Sequence, residues 1–95
     1  MNSYITLSLV EKLDPELELD LSHLLIRVVE DGASIGFLPP MNLDEALQYW
    51  QGVLQPGTML WVAREKNTIV GTIQLLLVAK PNARHRAEIA KLMVH

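Results

Sequence analysis

The sequence predicts a mixed α/β domain of the α+β kind, with one strand, two helices and then three antiparallel strands. Three observations carry that prediction. An alternating run opens the chain, two stretches of helical spacing follow, each behind a start signal, and from residue 58 onward the apolar period changes to two. At 95 residues there is room for a single core.

Tyr4 to Val10 places Ile5, Leu7 and Leu9 on one side and Thr6 and Ser8 on the other, the pattern of a half-buried strand. Asp14-Pro15 opens a helix, because aspartate accepts from orphan amides and proline loses nothing at the first helical position. Leu17, Leu21, Leu24, Leu25 and Val28 then recur at helical spacing, and Gly32 supplies the stop, so the helix runs from Pro15 to Asp31. The small-residue run from Gly32 to Pro40 is a shaped loop. Asn42 with Glu45 makes a capping box, and Leu43, Ala46, Leu47, Trp50 and Leu54 form the stripe of a second helix ending before Pro56-Gly57.

From Thr58, Met59, Trp61 and Ala63 alternate with Leu60, Val62 and Arg64 as far as the turn Lys66-Asn67. Ile69 to Val78 resumes as a strand, so the two runs pair as a hairpin, with Gly71 marking a bulge or a close backbone approach. Lys80 to His85 is a polar loop and Ala87 to Val94 the last strand.

Composition bounds the function. A net charge of -3 argues against a nucleic-acid partner, because a phosphate backbone calls for many cationic contacts. Without cysteine there is no disulfide framework, thiolate metal site or cysteine nucleophile, which suits a reducing, cytoplasmic setting. The start of the chain lacks the form of a signal peptide, and no run approaches the ~20 apolar residues a membrane span needs. His23, His85 and His95 lack metal-ligand spacing, so no metal is expected. At 49% hydrophobic the chain is apolar for a small body, which implies a missing half or a partner chain.

The stretch Gly71-Thr72-Ile73-Gln74-Leu75 and the run from Arg86 to His95, within this element order, resemble the third and fourth strands of the GNAT superfamily of acyl-CoA N-acyltransferases. Gly32-Ala33-Ser34-Ile35-Gly36-Phe37 and Lys80-Pro81-Asn82, together with the run from Arg86 to Val94, are similar to the tabtoxin-resistance acetyltransferase branch. The resemblance covers essentially the whole chain and implies the N-terminal half of that fold, a single partial domain ending before the pyrophosphate loop. It further implies transfer of acetyl from acetyl-CoA, as co-substrate, to the amine of a small molecule. In such enzymes a backbone amide of the fourth strand faces the thioester oxygen, and Leu92, Met93 and Val94 occupy the matching positions. Phe37, Asn82 and Arg86 fall on the acceptor side.

The amine must lose its proton before attack, and Glu88 is the candidate base, expected on one strand face with Ala90, Leu92 and Val94. Partial burial there would make it a better base, while a plain ion pair with Arg86 or Lys91 is the strong competing reading. Trp50 and Trp61 suit core packing, Phe37 either core or pocket, and Lys80, Arg84, His85, Arg86 and Lys91 a solvated basic loop or an anion site. Because the Arg/Gln-x-x-Gly-x-Gly turn of the superfamily is not among these residues, the 95-residue chain alone is expected to be nearly inactive. The rival reading is a non-catalytic module that pairs its last strand with a second copy, giving a homodimer.

Overall fold

The helix starts form as the sequence dictates. Asp14 caps α1 (Pro15–Glu30), its carboxylate accepting from the Leu17 amide at 2.7 Å. Asn42 and Glu45 close the capping box of α2 (Leu43–Gln51), with Asn42 Oδ1 accepting from the Glu45 amide at 2.8 Å. This computed structural model describes residues 4–32, 36–79 and 85–95, and of Val78, Ala79, His85, Arg86, Ala87 and Ala90 the backbone alone. α2 stops at Gly52, short of Leu54, which nonetheless packs against the core from outside the helix.

The remaining elements are β1 (Ile5–Val10), β2 (Thr58–Glu65), β3 (Thr68–Ala79) and β4 (His85–Val94), forming one antiparallel sheet in the order β1-β2-β3-β4. Two bulges shape it. Opposite Ala63 and Arg64 the partner jumps from Gly71 to Ile69, so Val70 is extra in β3. Opposite Gln74 and Leu75 it jumps from Lys91 to Ile89, so Ala90 is extra in β4. The first bulge turns both Ile69 and Thr72 towards the helices, where both are buried. Gly71 meets the expectation of a close approach as well, since a Cβ there would stand 2.8 Å from the Met93 carbonyl oxygen.

The core lies between the helices and one sheet face. Leu21, Leu24, Leu25, Val28 and Val29 of α1 and Ala46 and Trp50 of α2 bury against Val10, Leu60, Val62, Ile69 and Met93. Burial of this many large side chains, each contributing about 1.5–3 kcal/mol, is what outweighs the entropy of ordering. His95 Nε2 lies 2.6 Å from Asp31 Oδ2, tying the end of β4 to the end of α1.

The opposite face is apolar and open. Ile5, Leu7, Leu9, Leu77, Ile89, Leu92 and Val94 are all exposed, Val94 to 70%. Here the sequence expectation is corrected: the apolar row of β1 points away from the helices, and Val10 alone in that strand is buried. Trp61 pairs with Leu9 and Ile73 on this outer face, so it is only partly buried, whereas Trp50 is buried completely.

Candidate functional site

β4 forms one margin of the sheet, and among the described residues its outer side pairs with no strand. In an antiparallel ladder the residues of non-hydrogen-bonded pairs direct their amides away from the partner. The His95 amide donates to the Val70 carbonyl at 2.9 Å, which fixes the alternation. Met93 opposite Thr72 is therefore bonded to β3, while Leu92 opposite Ile73 and Val94 opposite Gly71 present N–H and C=O groups outward. Of the three expected contact residues, two face the open edge and Met93, 1% exposed, anchors the strand in the core.

The Ala90 bulge changes the face of Glu88. A regular strand would place Glu88 with Leu92 and Val94, as the sequence pattern suggested. The extra residue instead sets Glu88 opposite Leu76 on the helix side, together with Lys91 and Met93, while Ile89 joins Leu92 and Val94 outside. The Glu88 side chain is exposed there rather than partly buried.

Beside Glu88 runs a groove of about 410 Å³ lined by Tyr49, Gly52, Val53, Gln55, Thr58, Gln74, Leu76 and Lys91. α2 supplies its wall and β3 and β4 its floor. Gln74, nearly buried, donates from Nε2 to the Tyr49 hydroxyl at 2.7 Å, fixing the tyrosine ring. Phe37 meets that ring edge-on with centroids 5.3 Å apart, and Tyr49 meets Trp50 at 5.0 Å. The Lys91 ammonium sits 5.1 Å from the Phe37 centroid and 4.9 Å from that of Tyr49.

Phe37 thus adjoins the groove through Lys91 and Tyr49. Asn82 lies outside the described residues, and Arg86 is placed by its backbone alone, opposite Val78 in β4. Sequence reasoning missed Tyr49 and Gln74 and placed Lys91 in a basic cluster read as a solvated loop or an anion site. The signal was a lysine interrupting the apolar run of a strand, with a tyrosine beside a core tryptophan on the preceding helix. Among the described residues no three metal-ligating side chains gather, and no helix is long and apolar enough to cross a membrane.

No protein-family model matches the chain. Solved structures do resemble it. A GNAT family acetyltransferase from Staphylococcus aureus superposes with a TM-score of 0.72 at 14% identity, over 96% of this chain and 62% of that one. An aminoglycoside acetyltransferase from an uncultured soil metagenomic sample, in complex with sisomicin, gives 0.62 at 22% identity over 95% and 55%. A predicted acetyltransferase with acetyl-CoA from Clostridium acetobutylicum gives 0.56 at 16% over 97% and 60%. The chain spans about three fifths of the length of these structures. At such identities the likeness concerns the fold, and the strand, two helices and antiparallel strands found here have the arrangement of the GNAT acetyltransferase fold.

Proposed function

We propose that this chain is part of an N-acetyltransferase that moves acetyl from acetyl-CoA to the amine of a small molecule. The observation that carries the reading is the open β4 edge with the Leu92 and Val94 amides directed outward beside a bulge. Such an edge suits the amide-bearing arm of coenzyme A, which can bond along it as an added strand. A backbone donor aimed at the thioester oxygen would stabilise the charge that develops there, a contribution of about 2.7–4 kcal/mol where such donors have been removed. The amine nitrogen forms its bond to the carbonyl carbon, the tetrahedral adduct collapses with loss of the carbon–sulfur bond, and coenzyme A leaves as a thiolate. The proton the amine sheds goes first to a base and finally to that thiolate.

Glu88 is our candidate for the base, through water or directly, and its exposed position on the groove side of β4 supports the assignment. Met93 serves by holding the strand. Phe37, Asn82 and Arg86 are assigned to the acceptor side, following the wording shared with the tabtoxin-resistance branch. Calorimetric titration with acetyl-CoA tests the reading. Binding is expected, with a loss of at least about tenfold in Leu92→Pro, which deletes one outward amide at an edge position where proline is tolerated. No heat up to millimolar acetyl-CoA, or equal affinity in the variant, would count against it.

A second reading has an observation of its own. The exposed apolar row of Ile5, Leu7, Leu9, Ile89, Leu92 and Val94 favours burial against a second copy, giving a non-catalytic dimerisation module. Sedimentation equilibrium separates the two. A tight dimer that excludes acetyl-CoA supports the module.

A further inference from the structure

The groove beside β4 holds a feature that the transfer chemistry does not require. A lysine in an open cleft normally sweeps through solvent. Lys91 is instead half-buried, with its ammonium within 5.1 Å of the centroids of two rings, Phe37 and Tyr49. Attraction between a cation and the ring faces reaches about 6 Å, so both rings contribute to the seat. Gln74 fixes the Tyr49 ring by a 2.7 Å bond to its hydroxyl, and the edge-on contact with Tyr49 fixes Phe37. One positive charge is therefore positioned in the groove rather than averaged over a volume.

That charge acts on any amine entering the groove. A simple alkyl amine arrives as an ammonium and meets like charge, and a polycation meets it several times over. An amine that also carries an anionic group can turn that group to Lys91 and gain a charge-assisted contact. The remaining polar lining, from Gln55, Thr58, Gln74 and the Tyr49 hydroxyl, is neutral and able to hydrogen-bond. Glu88 stands on the same sheet face opposite Leu76, which also lines the groove, while the Lys91 ammonium lies against the aromatic wall. An acceptor with opposite charges at its two ends matches that order, and the nearby cation also favours the neutral, nucleophilic form of its amine.

We infer that the groove takes a small amine bearing a carboxylate or phosphate, with Lys91, seated on Phe37 and Tyr49, holding the anionic end. The inference rests on the acetyltransferase reading for the role of this molecule as acceptor; the binding preference can be measured without acetyl-CoA.

The experiment is an amide-shift NMR titration of the protein at low ionic strength with propylamine, β-alanine and O-phosphoethanolamine. These share an amine and a short chain and differ in the far end: none, carboxylate or phosphate. One or both anionic amines should bind about fivefold to tenfold more tightly than propylamine, and whichever does so identifies the anion. Lys91→Gln should level the series, and Lys91→Arg should keep the preference. Raising the salt to about 0.5 M should shrink the preference in the unaltered protein, a measurement that needs no variant. Equal binding of all three amines overturns the inference, as does a preference that survives in a folded Lys91→Gln protein. Anion preference without any acetyl-CoA binding would uphold the groove assignment while sinking the acetyltransferase reading, and the reverse pattern would sink this inference alone.

Discussion

Gly71→Ala isolates the contact that sets the position of β4. A Cβ at residue 71 would stand 2.8 Å from the Met93 carbonyl oxygen, where 3.4 Å begins ordinary contact, and the atom it meets is backbone. No flexible side chain can yield, so β4 must move outward by roughly half an ångström or the ladder must distort. Overpacking of this kind costs about 1–3 kcal/mol, while alanine in place of glycine returns about 0.4–1 kcal/mol through the unfolded chain. The net expectation is a loss of about 1–2 kcal/mol, or a fall in Tm of roughly 5–15 °C for a domain of this size. Urea unfolding followed by tryptophan fluorescence, to which Trp50 and Trp61 both contribute, measures it. Gly52→Ala is the control, because its Cβ would meet only the Tyr49 and Gln48 carbonyl oxygens at 3.7 and 3.9 Å. If Gly71→Ala is as stable as the Gly52 variant, the close approach between β3 and β4 is refuted, and with it the placement of the open edge.

Further outcomes follow from the same geometry. Met93→Ala should lose about 2–5 kcal/mol because the side chain is buried in the core, whereas Leu92→Ala, on the open face, should stay within about 0.5 kcal/mol; chemical denaturation of the pair decides whether the strand alternates as described. Asn42→Ala should cost about 1 kcal/mol by removing the α2 cap, seen as lower helicity and a lower midpoint. Glu88→Gln should leave acetyl-CoA affinity within about twofold while lowering whatever acetyl transfer the protein supports by about a hundredfold or more; an unchanged transfer rate would remove Glu88 as the base.

Much of the fold was legible because each element carried its own punctuation. Asp14-Pro15 and Asn42 with Glu45 announced the helix starts, and the turn at Lys66-Asn67 announced the hairpin. The site was less legible for a physical reason. A bulge adds one residue without changing strand period or composition, so nothing in the run from Glu88 to Val94 reveals that Ala90 lacks a partner. That single insertion moves Glu88 to the opposite face from Leu92. The direction of the apolar row in β1 was equally hidden, since alternation says that two faces differ and not which one meets the helices. The aromatic seat of Lys91 was hidden because it is assembled from the loop before α2, from α2 itself and from β4, residues far apart in the chain.

Two peptide N–H groups, those of Leu92 and Val94, form the proposed cofactor edge, and NMR reads them individually. On addition of acetyl-CoA to the protein, the Leu92 and Val94 amides should show the largest shifts, and the Met93 amide, bonded to β3, a small one. Unmoved Leu92 and Val94 resonances at saturating acetyl-CoA, or shifts concentrated at residues far from β4, would contradict the account.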